Sequence, residues 1–176
     1  MQVVLFADRA GRALAPFTER TCTALLPVIG KPLVVHALES ITRISPGRIF
    51  VVVSPYAAEV EADLGDGRRW GLELEYVLTR GNEVPDAIVE RLRPRLESPF
   101  LVVRGDVLLS PCLPEFLDRA VHLAGSSVAA TAGGAPTGVR LVRSGDGGAL
   151  GLPYEPESTT TWKEDAPTVE VPGAAF

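Results

Sequence analysis

An aspartate directly behind a hydrophobic strand is the residue of this chain most readily put to chemical use. The run Phe100 to Arg104 (FLVVR) is short and apolar, and Gly105-Asp106 follows it at once. A carboxylate held at a strand end can coordinate Mg²⁺, an ion usually bound by one or two carboxylates together with substrate phosphates. The same residue can instead cap a turn, as Asp often does. A second place for chemistry is the segment from Asp8 to about Thr23, rich in small and polar residues, behind the apolar run Gln2 to Ala7. Other conspicuous side chains have plainer readings. His36 sits in a predicted helix without a partner nearby in sequence, and His122 is similar. Cys22 and Cys112 are too few and too far apart for a metal cluster of paired spacing, so both read as free thiols. Cys112, between Pro111 and Leu113, suits a small buried hydrophobe.

These residues need a scaffold, and the hydrophobic pattern supplies one. Gln2 to Ala7 and Arg48 to Ser54 (RIFVVVS) are apolar runs short enough for buried strands. Between them Pro32 can open a helix, with Leu33, Ala37 and Ile41, flanked by Val34 and Leu38, on one face. Ser54-Pro55 suits the N-cap and first turn of a helix reaching about Leu64. After a turn at Asp66-Gly67, the alternation of Leu72, Leu74, Tyr76 and Leu78 predicts a third strand. A short helix over Asp86 to Arg93 precedes the fourth strand, Phe100 to Arg104, and Pro114 begins a helix near Glu115 to Ala124. Strands are expected at Ser127–Thr131, Gly138–Arg143 and Ala149–Tyr154, and the stretch Glu155 to Phe176, rich in Pro, Thr and Glu, is poorly patterned. Such alternation predicts an α/β fold. Its mostly parallel sheet would be covered by helices, with ligand sites at the carboxyl ends of the strands.

Composition narrows the function classes. The chain has 176 residues, 46% of them hydrophobic, enough for one domain with a genuine core. No apolar run reaches the roughly 18 residues that span a bilayer, and no charged-then-apolar segment opens the chain, so no membrane span and a cytoplasmic location are expected. A net charge of −5 without a basic cluster argues against binding nucleic acid. Of the 17 basic residues only Lys31 and Lys163 are lysines, which limits any lysine-dependent chemistry.

The run Thr23 to Leu33, TALLPVIGKPL, resembles the sugar-1-phosphate nucleotidyltransferases, which make NDP-sugars from NTP and sugar 1-phosphate. The likeness continues through Val51-Val52-Val53, Leu64-Gly65-Asp66-Gly67 with Trp70-Gly71, Tyr76-Val77-Leu78, Asp86-Ala87-Ile88 and Phe100 to Asp106, and can be followed to about Glu157. It implies a Rossmann-like, GT-A-like three-layer sandwich over residues 1–157, with residues 158–176 as a tail. It also implies a Mg²⁺-dependent nucleotide pocket over the strand ends, with Asp106 as metal ligand. Trp70 would then pack in a structural turn, although Trp70 and Trp162 could each stack on a base, and Lys31 would belong to a structural turn.

The chemical positions depart from that family's pattern. Its first loop runs close to G-x-G-T-R-L-x-P-L-T, and Gly11, Leu14, Pro16 and Thr18 match it. Gly11 and Arg12 are thereby the candidate nucleotide-binding residues. Arg9 replaces a glycine where backbone must approach phosphate. Ala13 replaces the loop arginine, Thr23 a phosphate-binding lysine, and Glu155 a lysine that contacts the sugar phosphate. The base-reading positions fall at Thr79 and Glu83-Val84. The family's second metal carboxylate lies after a later strand, beyond this chain. Losing one preorganised electrostatic contact costs on the order of 10²–10³ in rate, and such losses need not add. The expectation is therefore a catalytically inactive protein that binds or regulates a partner, with no catalytic residue intact and no cofactor required. A protein partner or homo-oligomer (a dimer) would cover a shortened sheet, and weak nucleotide binding could persist. The alternative is a weakly active Mg²⁺-dependent sugar-1-phosphate nucleotidyltransferase.

Overall fold

The computed structural model describes residues 1–54, 56–80, 83–109, 113–123, 125–130, 136–143 and 168–170. The chain opens with β1 (Val3–Phe6), continues through the two-residue strands β2 (Pro27–Val28) and β3 (Lys31–Pro32), and enters helix α1 (Leu33–Thr42). Then come β4 (Arg48–Val53), α2 (Ala57–Leu64), β5 (Glu73–Leu78), α3 (Pro85–Leu92), β6 (Phe100–Arg104) and α4 (Leu113–Ala120). The described elements end with β7 (Ser127–Ala130), β8 (Pro136–Val142) and β9 (Thr168–Glu170).

Seven strands form one sheet in the order β5-β4-β1-β6-β8-β7-β9, while β2 and β3 pair separately. Strands β5, β4, β1 and β6 run parallel, with Phe6 level with both Val52 and Arg104, and Val53 level with Leu78. β8 is antiparallel to β6 and to β7, and β9 is parallel to β7. The mostly parallel, helix-covered sheet expected from the sequence is the architecture observed. Because side chains alternate along a strand, each central strand serves two cores. Val3, Leu5, Ile49, Val51, Leu101 and Val103 meet Val34, Leu38 and Ile41 of α1, Val60 and Leu64 of α2, and Phe116 of α4. Val4, Phe6, Phe50, Val52, Phe100 and Val102 meet Ile88, Val89 and Leu92 of α3 on the other face.

The chain order sets where a ligand can sit. From β1 the chain moves outward to β4 and β5, then crosses back to place β6 on the opposite side of β1. Neighbouring strands whose connections leave in opposite directions open a crevice at their carboxyl ends. Asp8 follows β1 and Asp106 follows β6, so both stand at that crevice.

Several boundaries differ from the sequence expectation for physical reasons. Pro32 lies just outside α1 because its extended backbone pairs with Pro27 across the β2–β3 hairpin. Ser54 does not cap α2 with its side chain; its carbonyl accepts from Ala57 N–H at 2.9 Å, and the helix begins at Ala57. α4 stops at Ala120, where Arg143 Nη2 donates to the carbonyls of Ala120 and Val121. Leu78, the last residue of the alternation that predicts the third strand, is 67% exposed at the end of the edge strand β5. β9 lies within the poorly patterned stretch Glu155 to Phe176. The expected strand Ala149–Tyr154 and residues Cys112, Glu155, Trp162 and Lys163 lie outside the described residues. Among the described residues, no helix is long and apolar enough to cross a membrane.

Candidate functional site

Backbone hydrogen bonds carry the ladder past the strands and bring their loops together. Ala7 N–H donates to Val52 O at 2.8 Å, Thr79 N–H to Val53 O at 2.8 Å, and Gly105 N–H to Phe6 O at 2.7 Å. Gly105 needs to be glycine, since a Cβ there would lie 2.9 Å from Phe6 O. The polar residues at these ends, Asp8, Ser54, Thr79, Arg104 and Asp106, are all buried. Burial of polar side chains is favourable only with partners, so their partners define what the crevice can do.

Asp106 is fully engaged. Arg104 Nε donates to Asp106 Oδ1 at 2.8 Å and Arg104 Nη2 to Oδ2 at 2.5 Å, a two-pronged contact between nearly inaccessible side chains. Space for the Arg104 stem comes from Gly138 in β8, where a Cβ would sit 2.9 Å from Arg104 Cγ. Arg9 adds a longer contact from Nη1 to Asp106 Oδ2, 3.4 Å, and joins loops 97 residues apart in sequence. Arg9 is itself fixed through its carbonyl, which accepts from Thr23 N–H at 3.0 Å and Thr23 Oγ1 at 3.2 Å.

Asp8 contrasts with Asp106. Its Oδ2 is buried and makes no hydrogen bond among the described residues. Burial pushes its pKa up from 3.8 to about 6; its own backbone N–H and Arg104 oppose the shift, and Asp106 and Glu83 add to it. Among the described residues, Asp8 and Asp106 thus share the crevice with the guanidiniums of Arg9 and Arg104. In the sequence Asp8 stands out only as the start of a loop. The signal that could have found it was the one used for Asp106, a carboxylate directly behind an apolar strand.

The other candidates take definite places. Gly11 is buried in a left-handed conformation (φ 65°), accepts from Thr18 Oγ1 at 2.6 Å, and has no room for a Cβ, which would fall 2.2 Å from Thr23 Oγ1. Arg12 is exposed, at the start of a 3₁₀ turn over Arg12–Leu14. Thr79 is buried and donates to Val53 O, whereas Val84 is exposed. Glu83 accepts from Arg80 N–H and Arg91 Nη1, which hold its carboxyl below the usual range. His36 Nε2 bonds Val28 O at 2.8 Å, and Lys31 pairs with Glu39 at 2.7 Å; both tie α1 to the hairpin. Trp70 packs against the core under Arg69. Cys22 is a free, buried thiol whose pKa burial raises.

A divalent ion at Asp106 meets a poor fit. Both carboxylate oxygens accept from a guanidinium that cannot deprotonate, so an ion there would have to share or displace those contacts.

Comparison with known proteins agrees with this architecture. The chain is 30% identical over 137 residues to a glucose-1-phosphate thymidylyltransferase of an Actinoplanes species, covering 73% of this chain and 45% of the relative. It is 27% identical to a mannose-1-phosphate guanylyltransferase of Mycobacterium tuberculosis, covering all of this chain and 48% of the relative. It therefore spans just under half the length of these two curated relatives. A solved structure from Bacillus anthracis, described as a glucose-1-phosphate thymidylyltransferase, shares the fold with a TM-score of 0.72 at 18% identity, over 81% of this chain and 71% of that one. A family model for nucleotidyl transferases matches residues 3–143. Because that match runs from the start of β1 to the residue after β8, the chain belongs to the nucleotidyl transferase family.

Proposed function

We propose that the chain binds a nucleotide or nucleotide sugar in the β1–β6 crevice without turning it over, as a noncatalytic binding or regulatory subunit for a partner protein. The observation that carries this reading is the engagement of both Asp106 oxygens by Arg104, with Arg9 on the same carboxylate. A metal seeking Asp106 would have to compete with this two-pronged, charge-assisted contact. Arg9 and Thr23, where the resemblance puts glycine and lysine, support the same reading.

A second reading, a weakly active Mg²⁺-dependent sugar-1-phosphate nucleotidyltransferase, draws support from the family match and from the names of the relatives. Asp8, a buried carboxylate with an unbonded oxygen, favours it specifically, because it could supply a second acidic ligand. Pyrophosphate release separates the two. The purified chain, given Mg²⁺ with each common NTP and sugar 1-phosphate, is expected to release none above background. Release that disappears in Asp106→Ala would establish the second reading instead.

A further inference from the structure

In phosphate sites that use a divalent cation, the ion performs two tasks: it discharges acidic side chains and supplies positive charge to the phosphates. Here both tasks have side-chain candidates. Arg104 discharges Asp106 through a planar fork that matches the carboxylate on both prongs. Arg9 is the looser member: its side chain is 23% exposed, its contact to Asp106 is 3.4 Å long, and its buried Nε has no hydrogen-bond partner among the described residues. The bonds from Thr23 to the Arg9 carbonyl fix the backbone from which this guanidinium projects.

Charge then selects the ligand. Among the described residues, Asp8 and Asp106 are set against Arg9 and Arg104, and Glu83, whose charge reaches Asp8, is paired with Arg91, so these groups nearly balance before anything binds. Without a metal, a nucleoside triphosphate brings about four negative charges, whereas a nucleoside diphosphate sugar, esterified at both ends of its pyrophosphate, brings about two. Asp8 has an unbonded oxygen beside the crevice, so every extra ligand charge meets a carboxylate that the arginines have not fully answered.

Resting on the nucleotide-binding reading above, we propose that Arg9 and Arg104 stand in for the divalent cation. The crevice then accepts nucleoside diphosphate sugars without metal and prefers them to nucleoside triphosphates. Arg104 is a positioning residue that neutralises Asp106, and Arg9 contacts the pyrophosphate. The chain would thus recognise the product class of its family and not the charged substrate.

Calorimetric titration of the full chain with UDP-glucose and UTP, dTDP-glucose and dTTP, and GDP-mannose and GTP, each in EDTA and in Mg²⁺, tests this. In EDTA one NDP-sugar is expected to bind at least tenfold more tightly than its triphosphate. Mg²⁺ should change that affinity less than threefold, and Arg9→Gln should weaken it about tenfold while circular dichroism stays unchanged. A triphosphate that binds more tightly in EDTA, or NDP-sugar binding that appears only with Mg²⁺, overturns the inference and leaves the nucleotide-binding reading standing. Heat-silent titrations backed by unchanged melting temperatures for all six ligands overturn both. The wild-type comparison decides between the ligands even if the Arg9 variant folds poorly.

Discussion

The residue that departs most from an ordinary surface carboxylate is Asp8. Its pKa rises from 3.8 to about 6, chiefly because it is buried. The folded chain therefore binds more protons at Asp8 than the unfolded chain between those two values. Stability from this group is highest below about pH 4, falls as pH rises, and is lost above about 6. A shift of that size corresponds to about 3 kcal/mol. Asp8→Asn keeps the shape and removes the charge, so the variant should gain on wild type as pH rises from 4 to 7 and be about 1–3 kcal/mol more stable at pH 8. Urea denaturation of both proteins at several pH values measures the difference. A gap that stays constant with pH would show that Asp8 is not held away from water. The place of Asp106 at the end of a buried strand was legible from the run FLVVR before it. Its clasp by Arg9 was not, since contacts between residues 97 apart leave no local pattern.

At the level of elements, β1, β4 and β6 could be read from the sequence because strands buried on both faces are continuous apolar runs. Helix α1 was legible for the opposite reason, its apolar residues recurring at helical spacing. The β2–β3 hairpin was not, because two-residue strands show no alternation and its turn places Ile29 and Gly30 at positive φ. β9 is three residues long and pairs with β7 across a large separation, so its partner and not its own composition makes it a strand. The junction between β1 and β6 depends on a single glycine. Gly105→Ala would press a methyl group onto Phe6 O, and the end of β6 would have to move away from β1. Overpacking of this kind typically costs about 1–3 kcal/mol. Gly105→Ala should lose stability in that range in chemical denaturation, whereas Gly47→Ala, whose Cβ would meet only Met1 O at 3.9 Å, should lose less. Equal losses would show that the approach to Phe6 O does not set the cost at Gly105.

On the scale of the whole molecule, the sheet order concentrates the chemistry in one place. The reversal of strand order between β1 and β6 gathers Asp8, Arg9, Gly105 and Asp106 at one crevice, although the sequence holds them in two segments about a hundred residues apart. The family match accounts for this topology, and the arginine-clasped aspartate is what this chain places within it. The most direct measurement is a ¹H–¹⁵N correlation titration of the isotopically labelled chain with the nucleotide sugars and triphosphates. Binding in the crevice should move the amide signals of Asp8, Arg9, Gly11, Gly105 and Asp106 first and most, while α2 and the outer strand β5 stay largely still. Saturable shifts centred elsewhere, or none with any ligand at millimolar concentration, would contradict a nucleotide site at the β1–β6 crevice.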